Sequence, residues 1–187
     1  MEKLRYSAKA EKACKYFLLT ALLSFLGWVF EVIYVYLYAG RYKDAGFMSM
    51  PFCPIYGCTL LAVYFVGGTP DEPRGVFKNL PNFLRWIGYW ALAFLAPTIA
   101  ELFIGFAFDK AFGLRLWNYQ GQRYNYNGYV ALFVSLQWSA LIVLVMKYIF
   151  PYLKRAVFSF PKKQTIPLTV FLFIIGIADV AYNLIKV

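Results

Sequence analysis

Three acidic residues stand where acids are expensive. Glu31, Glu101 and Asp179 each interrupt a long apolar run. A charge near the centre of a bilayer costs roughly 2.5–3.5 kcal/mol on insertion scales, so such residues face a bundle interior and mark function. Two carboxylates buried together can split their pKa values, one staying protonated as an acid and the other ionised as a base, which makes Glu31 and Glu101 a candidate acid/base or binding pair. Cys53 adds a thiol, but the chain has no histidine. That excludes Ser-His-Asp and Cys-His nucleophiles and the common His-ligated metal sites. Activation of Cys53 would rest on a helix N-terminus alone, so a free structural thiol is the plainer reading. Cys14, Cys53 and Cys58 form no metal motif, and an odd count argues against a disulfide scaffold. No cofactor is implied.

The elements that must position these acids are membrane helices. The chain has 187 residues, 61% hydrophobic and only 15% charged, where a soluble domain carries about 25% charged residues. The apolar surplus needs lipid as part of its solvent, and the expected partner is a bilayer. Five apolar runs cover Tyr16–Tyr38, Met50–Val66, Phe83–Phe108, Tyr129–Phe150 and Ile166–Ile185. Four reach the ~20 residues of a spanning helix, and the second is short and opens with Pro51 and Pro54. The expected fold is an all-α polytopic bundle of about five transmembrane helices: residues 1–15 a basic cytoplasmic tail, residues 16–187 a single transmembrane domain. With the N-terminus inside, 13 of the 19 Lys and Arg residues lie on the inner side, which favours N-in and C-out. The net charge of +10 then reflects basic inner loops, with no call for a nucleic-acid partner.

Small and polar residues fall into helical stripes: Thr20-Ser24-Gly27-Glu31, Thr98-Glu101-Gly105, Gly128-Ala131-Ser135-Ser139 and Gly176-Asp179-Asn183. Steps of three and four put each set on one helix face, as close packing in membranes favours. In the N-in topology Glu31 and Glu101 both lie in the outward half of their helices. The second and fourth runs start from that side, at Pro51–Gly57 and at Asn127-Gly128, and their helix N-termini would offer N–H groups to an anion. A short, proline-interrupted membrane segment is itself a pointer to a binding site. These features predict a polar cavity open to the outside, with Ser135 on its wall and Tyr56 within reach of a carboxylate. A parallel internal repeat is also suggested. Glu31 precedes the Pro51–Gly57 segment as Glu101 precedes Asn127-Gly128.

Several of these residues carry a family resemblance. Gly27-Trp28-x-x-Glu31, then Gly46-Phe47-x-x-x-Pro51-x-Cys53-Pro54-Ile55-Tyr56-Gly57, then Glu101, Trp117-Asn118-Tyr119 and Asn127-Gly128 resemble the ABC-transporter type IV, or CmpB-like, family of bacterial membrane proteins. The resemblance covers about residues 17–138. This chain departs from the family pattern at Lys43-Asp44-Ala45 and at Asn118, and both departures alter charge in outer loops. The resemblance implies a permease of the cell membrane, with Trp28, Trp117 and Tyr119 added to the candidate binding residues. The chain has no Gly-x-x-x-x-Gly-Lys-[Ser/Thr] loop, so any ATPase is a separate subunit. Five spans are few for a substrate pathway, and a homodimer or heteromer is expected.

Three functions remain open on the residues alone. One is a permease subunit binding a polar or amphipathic substrate. Another is an intramembrane enzyme using Glu31 and Glu101 on a lipid or lipid-linked substrate. The third is a non-catalytic assembly subunit.

Overall fold

The computed structural model describes residues 2–40 and 46–186. Lys43, Asp44 and Ala45, where the sequence departs from the family pattern, lie outside the described residues. The chain is all-α and polytopic, as its composition requires. Its helices are α1 (Glu2–Ala39), α2 (Pro54–Gly67), α3 (Asn82–Phe112), α4 (Leu132–Leu144), α5 (Phe150–Phe158) and α6 (Lys162–Ile185). A π-helical turn, Val145–Ile149, joins α4 to α5 without a break. Among the described residues, four helical stretches are long and apolar enough to cross a membrane, and α2 is a shorter apolar helix. At 1.5 Å per residue, the 14 residues of α2 span about 21 Å, short of the ~30 Å hydrocarbon layer.

Local chemistry sets these boundaries. No proline and few glycines fall between Glu2 and Ala39, so α1 runs on through the basic segment into the apolar run. It stops at Gly40, whose φ of +64° suits a helix C-terminus. Pro51 and Pro54 restrict the residues before them and keep residues 50–53 out of helix. Pro151 cannot donate a backbone hydrogen bond, and its ring crowds the carbonyl one turn back. The π turn immediately before it widens the helix at that point.

The chain divides into two compact units, Met1–Gly57 with Tyr152–Val187, and Cys58–Pro151. In the first, α1 packs on α6 and the end of α5. Phe17 meets Phe173 edge-on and Tyr16 meets Phe158, Lys15 donates to the Phe158 carbonyl at 2.9 Å, and Glu11 pairs with both Lys15 and Lys162. In the second, α3 packs on α4. The buried face of α3 is Tyr89, Ala93, Pro97, Glu101 and Gly105, a four-residue step that forms one ridge of the helix surface. Thr98, expected on that face, is only half-buried and donates to the carbonyl of Phe94. Ser135, Ser139, Ile142 and Val143 are the buried residues of α4. The turn between α2 and α3 is pinned to this unit by the Tyr89 hydroxyl, which donates to the Gly68 carbonyl, and by the Arg74 guanidinium over the Tyr64 ring.

The fourth run begins differently from expectation. Asn127 and Gly128 do not start a helix; α4 begins at Leu132, preceded by a hairpin of β1 (Asn125–Tyr126) and β2 (Val130–Ala131). Asn127 and Gly128 have φ of +49° and +76°, and Tyr129 N–H donates to the Tyr126 carbonyl at 3.0 Å. Two left-handed residues closed by that bond make a type I′ turn, for which Asn-Gly is the preferred pair. Gly128 therefore leaves the helical stripe of Ser135 and Ser139, and no helix N-terminus lies at Asn127.

Candidate functional site: two carboxylate–tyrosine pairs

In the first unit, α1 and the chain leading into α2 build a cluster around Glu31. The Tyr56 hydroxyl donates to Glu31 Oε2 at 2.7 Å, and Cys53 Sγ lies 3.9 Å from the same oxygen. The backbone makes this approach possible. Ser24 Oγ donates back to the Thr20 carbonyl, and the Ser24 carbonyl accepts the N–H of Cys53 at 3.1 Å, tying the non-helical chain to α1. Gly57 lies so close to α1 that a Cβ there would overlap the Thr20 carbonyl and Ser24 Oγ. A Cβ on Gly27 would fall 2.5–2.6 Å from the Tyr56 side chain. The small residues of the α1 stripe are thus the seat on which Tyr56 rests. Trp28 stacks on Phe25, which also touches Phe52, and Pro51 and Pro54 bracket the turn.

Asp179 completes this cluster from α6, a role that sequence reasoning did not find. Its Oδ2 accepts the N–H of Ser49 at 3.0 Å and of Met50 at 3.5 Å, while Ser49 Oγ donates to Asn183 Oδ1 at 3.1 Å. Pro51 forces Met50 out of helical geometry, which leaves these N–H groups without helical acceptors, and Asp179 supplies one. The signal present in the sequence was the acid–amide spacing Asp179-x-x-x-Asn183 on a membrane helix. Nothing in it named a partner 130 residues away.

In the second unit, Glu101 is buried, and Glu101 Oε1 accepts the Tyr119 hydroxyl at 3.2 Å. The hairpin holds Tyr119 in place. Tyr119 N–H donates to the Gly128 carbonyl at 2.9 Å, and Trp117 Nε1 donates to the Tyr129 carbonyl at 2.7 Å. Gly105 lets the Trp117 and Tyr129 rings lie on α3; a Cβ there would sit 3.2 Å from each. The Tyr129 hydroxyl donates to Asp109 Oδ2 at 2.5 Å, and Arg115 pairs with the same oxygen at 3.5 Å while covering the Tyr129 ring. The bond to Asp109 raises the Tyr129 phenol above its usual range, with burial adding to it. Asn118 Oδ1 accepts the N–H of Gln120, so the departure from the family pattern at this position still makes a local turn. Ser135 is buried on α4, below the hairpin in sequence.

The structure therefore brings together Trp28, Glu31, Pro51, Cys53, Pro54, Tyr56 and Gly57 in one unit. It gathers Glu101, Trp117, Tyr119, Asn127 and Gly128 in the other. Among the described residues, no group of three or more His, Cys, Asp or Glu could hold a metal ion. What each cluster can do is present a carboxylate whose position is fixed by a phenol.

No curated protein and no solved structure matches the chain. A family described as Putative ABC-transporter type IV matches residues 17–184, which include both clusters and Asp179 and reach into all four long helices. This chain is a multi-pass membrane protein that belongs to the Putative ABC-transporter type IV family.

Proposed function

We propose that the chain is the membrane-embedded permease subunit of a transport assembly, and that Glu31 anchors an outward-facing site for a polar or amphipathic substrate. The observation that carries this reading is the Glu31–Tyr56 hydrogen bond. It joins an acid on a long apolar helix to a phenol on the first turn of α2, directly after the non-helical, proline-bounded chain of residues 50–53. Such backbone survives at membrane depth only when buried in protein or lining a wet cavity, and broken membrane segments recur at transporter binding sites. Glu31 is half-buried, so its carboxylate can accept a further donor, such as an ammonium or hydroxyl group of the substrate. Glu101 with Tyr119 is the second unit's equivalent pair, with Trp117 on its rim. Orientation in this reading is N-in, the ATPase is a separate polypeptide, and the working assembly is a homodimer or heteromer.

The test is capture of the tagged full chain in mild detergent, followed by reconstitution with whatever co-purifies. A P-loop ATPase should co-purify with wild type and with Glu31→Gln alike, and Glu31→Gln should uncouple ATP turnover from flux. Capture without an ATPase, or an uncoupling-neutral Glu31→Gln, would move the chain to the assembly-subunit reading. Labelling of cysteines introduced into Gly67–Asn82 and Asp109–Asn127 should report opposite sides of the membrane.

A further inference from the structure

The first unit contains a groove of about 380 Å³ between α1, the end of α5 and α6. Its walls include Leu18, Leu22, Phe52, Val157, Phe160 and Leu172, and every side chain lining it is apolar. Water gains nothing in such a space, since it needs two or more polar partners. A polar substrate would be stripped of its hydrogen bonds there. The occupant must be hydrocarbon, and the volume, near the lower end of the ~300–1,000 Å³ of ligand sites, suits a single chain rather than a bulky ring system.

Charge beside the groove points to the rest of the ligand. Val157 and Phe160, at the α5–α6 turn, line part of the groove. Flanking that turn are Lys154, Arg155, Lys162 and Lys163, joined from α1 by Lys15, whose Nζ reaches the Phe158 carbonyl. Glu11 compensates only part of this charge, through Lys15 and Lys162. Arg155 and Lys163 are exposed, and α6 begins at Lys162, so its positive helix end faces the same place.

We propose that this groove binds one acyl chain of an anionic phospholipid, whose phosphate is held by Arg155 and Lys163. Basic pockets beside membrane helices recognise anionic headgroups in this way. The apolar wall provides chain retention and the cations provide selection between lipids. The groove has no polar residue in common with the Glu31 cluster, so this site and the proposed transport site stand or fall separately.

The test is native mass spectrometry of the full chain in mild detergent, delipidated and titrated with an equimolar mixture of phosphatidylglycerol and phosphatidylcholine. Wild type should retain phosphatidylglycerol preferentially. Arg155→Gln with Lys163→Gln should lower that preference by about fivefold per cation removed. Glycerol phosphate, which carries the headgroup charge without a chain, should fail to displace the bound lipid. Equal retention of the two lipids, an unchanged preference in the double variant, or displacement by glycerol phosphate would each overturn the proposal. The two substituted residues are exposed, so the variant keeps the fold on which the readout depends.

Discussion

Both units set a glutamate of a long apolar helix against a tyrosine hydroxyl, yet they support the tyrosine in different ways. Tyr56 rides on the first turn of α2, wedged against Gly27, and the chain before it is pinned by Asp179 through the N–H groups of Ser49 and Met50. Tyr119 sits in irregular chain and is held from behind by a hairpin, through Gly128, Tyr129 and Asp109. Glu31 is half-buried and bonded at 2.7 Å; Glu101 is buried and bonded at 3.2 Å. The first arrangement is tight in its backbone and leaves its carboxylate accessible. The second rests on side-chain and loop contacts and covers its carboxylate. Accessibility suits the first pair to meet a ligand, whereas burial suits the second to hold α3 and the loop after it together.

The largest expected difference between the regions concerns glycine. Gly57→Leu would drive a side chain into the backbone carbonyl of Thr20, which cannot move without breaking α1. Gly67→Leu, at the other end of α2, meets the Phe77 ring at 2.7 Å and a Leu92 methyl at 2.9 Å, and side chains can turn aside. Gly57→Leu should abolish the folded protein, while Gly67→Leu should cost about 1–3 kcal/mol as ordinary overpacking. Yield and thermal midpoint in detergent measure both, and equal tolerance would reduce the Pro51–Gly57 segment to a simple helix start.

Next come the phenols. A hydrogen bond to a charged acceptor is worth about 1.5–3 kcal/mol. Tyr56→Phe should fall near the upper end and Tyr119→Phe near the lower, given the longer bond to Glu101. A double-mutant cycle of Tyr56→Phe with Glu31→Gln isolates the pair. A larger loss for Tyr119→Phe than for Tyr56→Phe would show that burial of Glu101 outweighs the shorter bond at Glu31.

A smaller effect is expected at Asp179. Asp179→Asn keeps an acceptor oxygen but removes the charge from two hydrogen bonds, a loss of about 1 kcal/mol. Amide exchange at Ser49 and Met50 should quicken by roughly fivefold, with no change in the hairpin. Uniform acceleration in both units would show that Asp179 acts on global stability rather than on the chain before Tyr56.

The smallest effect is a pH dependence confined to the second unit. Folding raises the Tyr129 phenol, chiefly through its bond to Asp109. The stability this contributes is fully present below the unfolded value of about 10 and is lost as pH rises through the folded one. Wild type should therefore loosen around Asp109 above about pH 10, and Tyr129→Phe should lack that step. Fluorescence of Trp117, bonded to the Tyr129 carbonyl, can follow it.

Much of the fold was legible in the sequence because lipid imposes a one-dimensional code. Apolar length marks the spans, proline marks the break at residues 50–53, and a carboxylate inside a span marks a candidate site. The Asn127-Gly128 hairpin was legible too, as Asn-Gly is a strong turn signal. It was obscured because the Tyr129-Val130-Ala131 segment after it reads equally well as strand or helix. The stripe on α3 was half right. Glu101 and Gly105 lie on the buried ridge, but its other members are Tyr89, Ala93 and Pro97, because packing against α4 selects a four-residue ridge that polarity alone does not reveal.

By itself, then, the sequence determined an all-α, multi-pass protein with acids at Glu31, Glu101 and Asp179 and a proline-broken segment carrying Tyr56. These depend on local chain stiffness and on the cost of charge in hydrocarbon, and both act through residue type. Only the tertiary structure decided which donor each acid meets: Tyr56 for Glu31, Tyr119 for Glu101, and the N–H groups of Ser49 and Met50 for Asp179. Hydrogen bonding is short-ranged and directional, so a partner 130 residues distant is fixed by how α6 packs on α1, and no spacing along the chain encodes it.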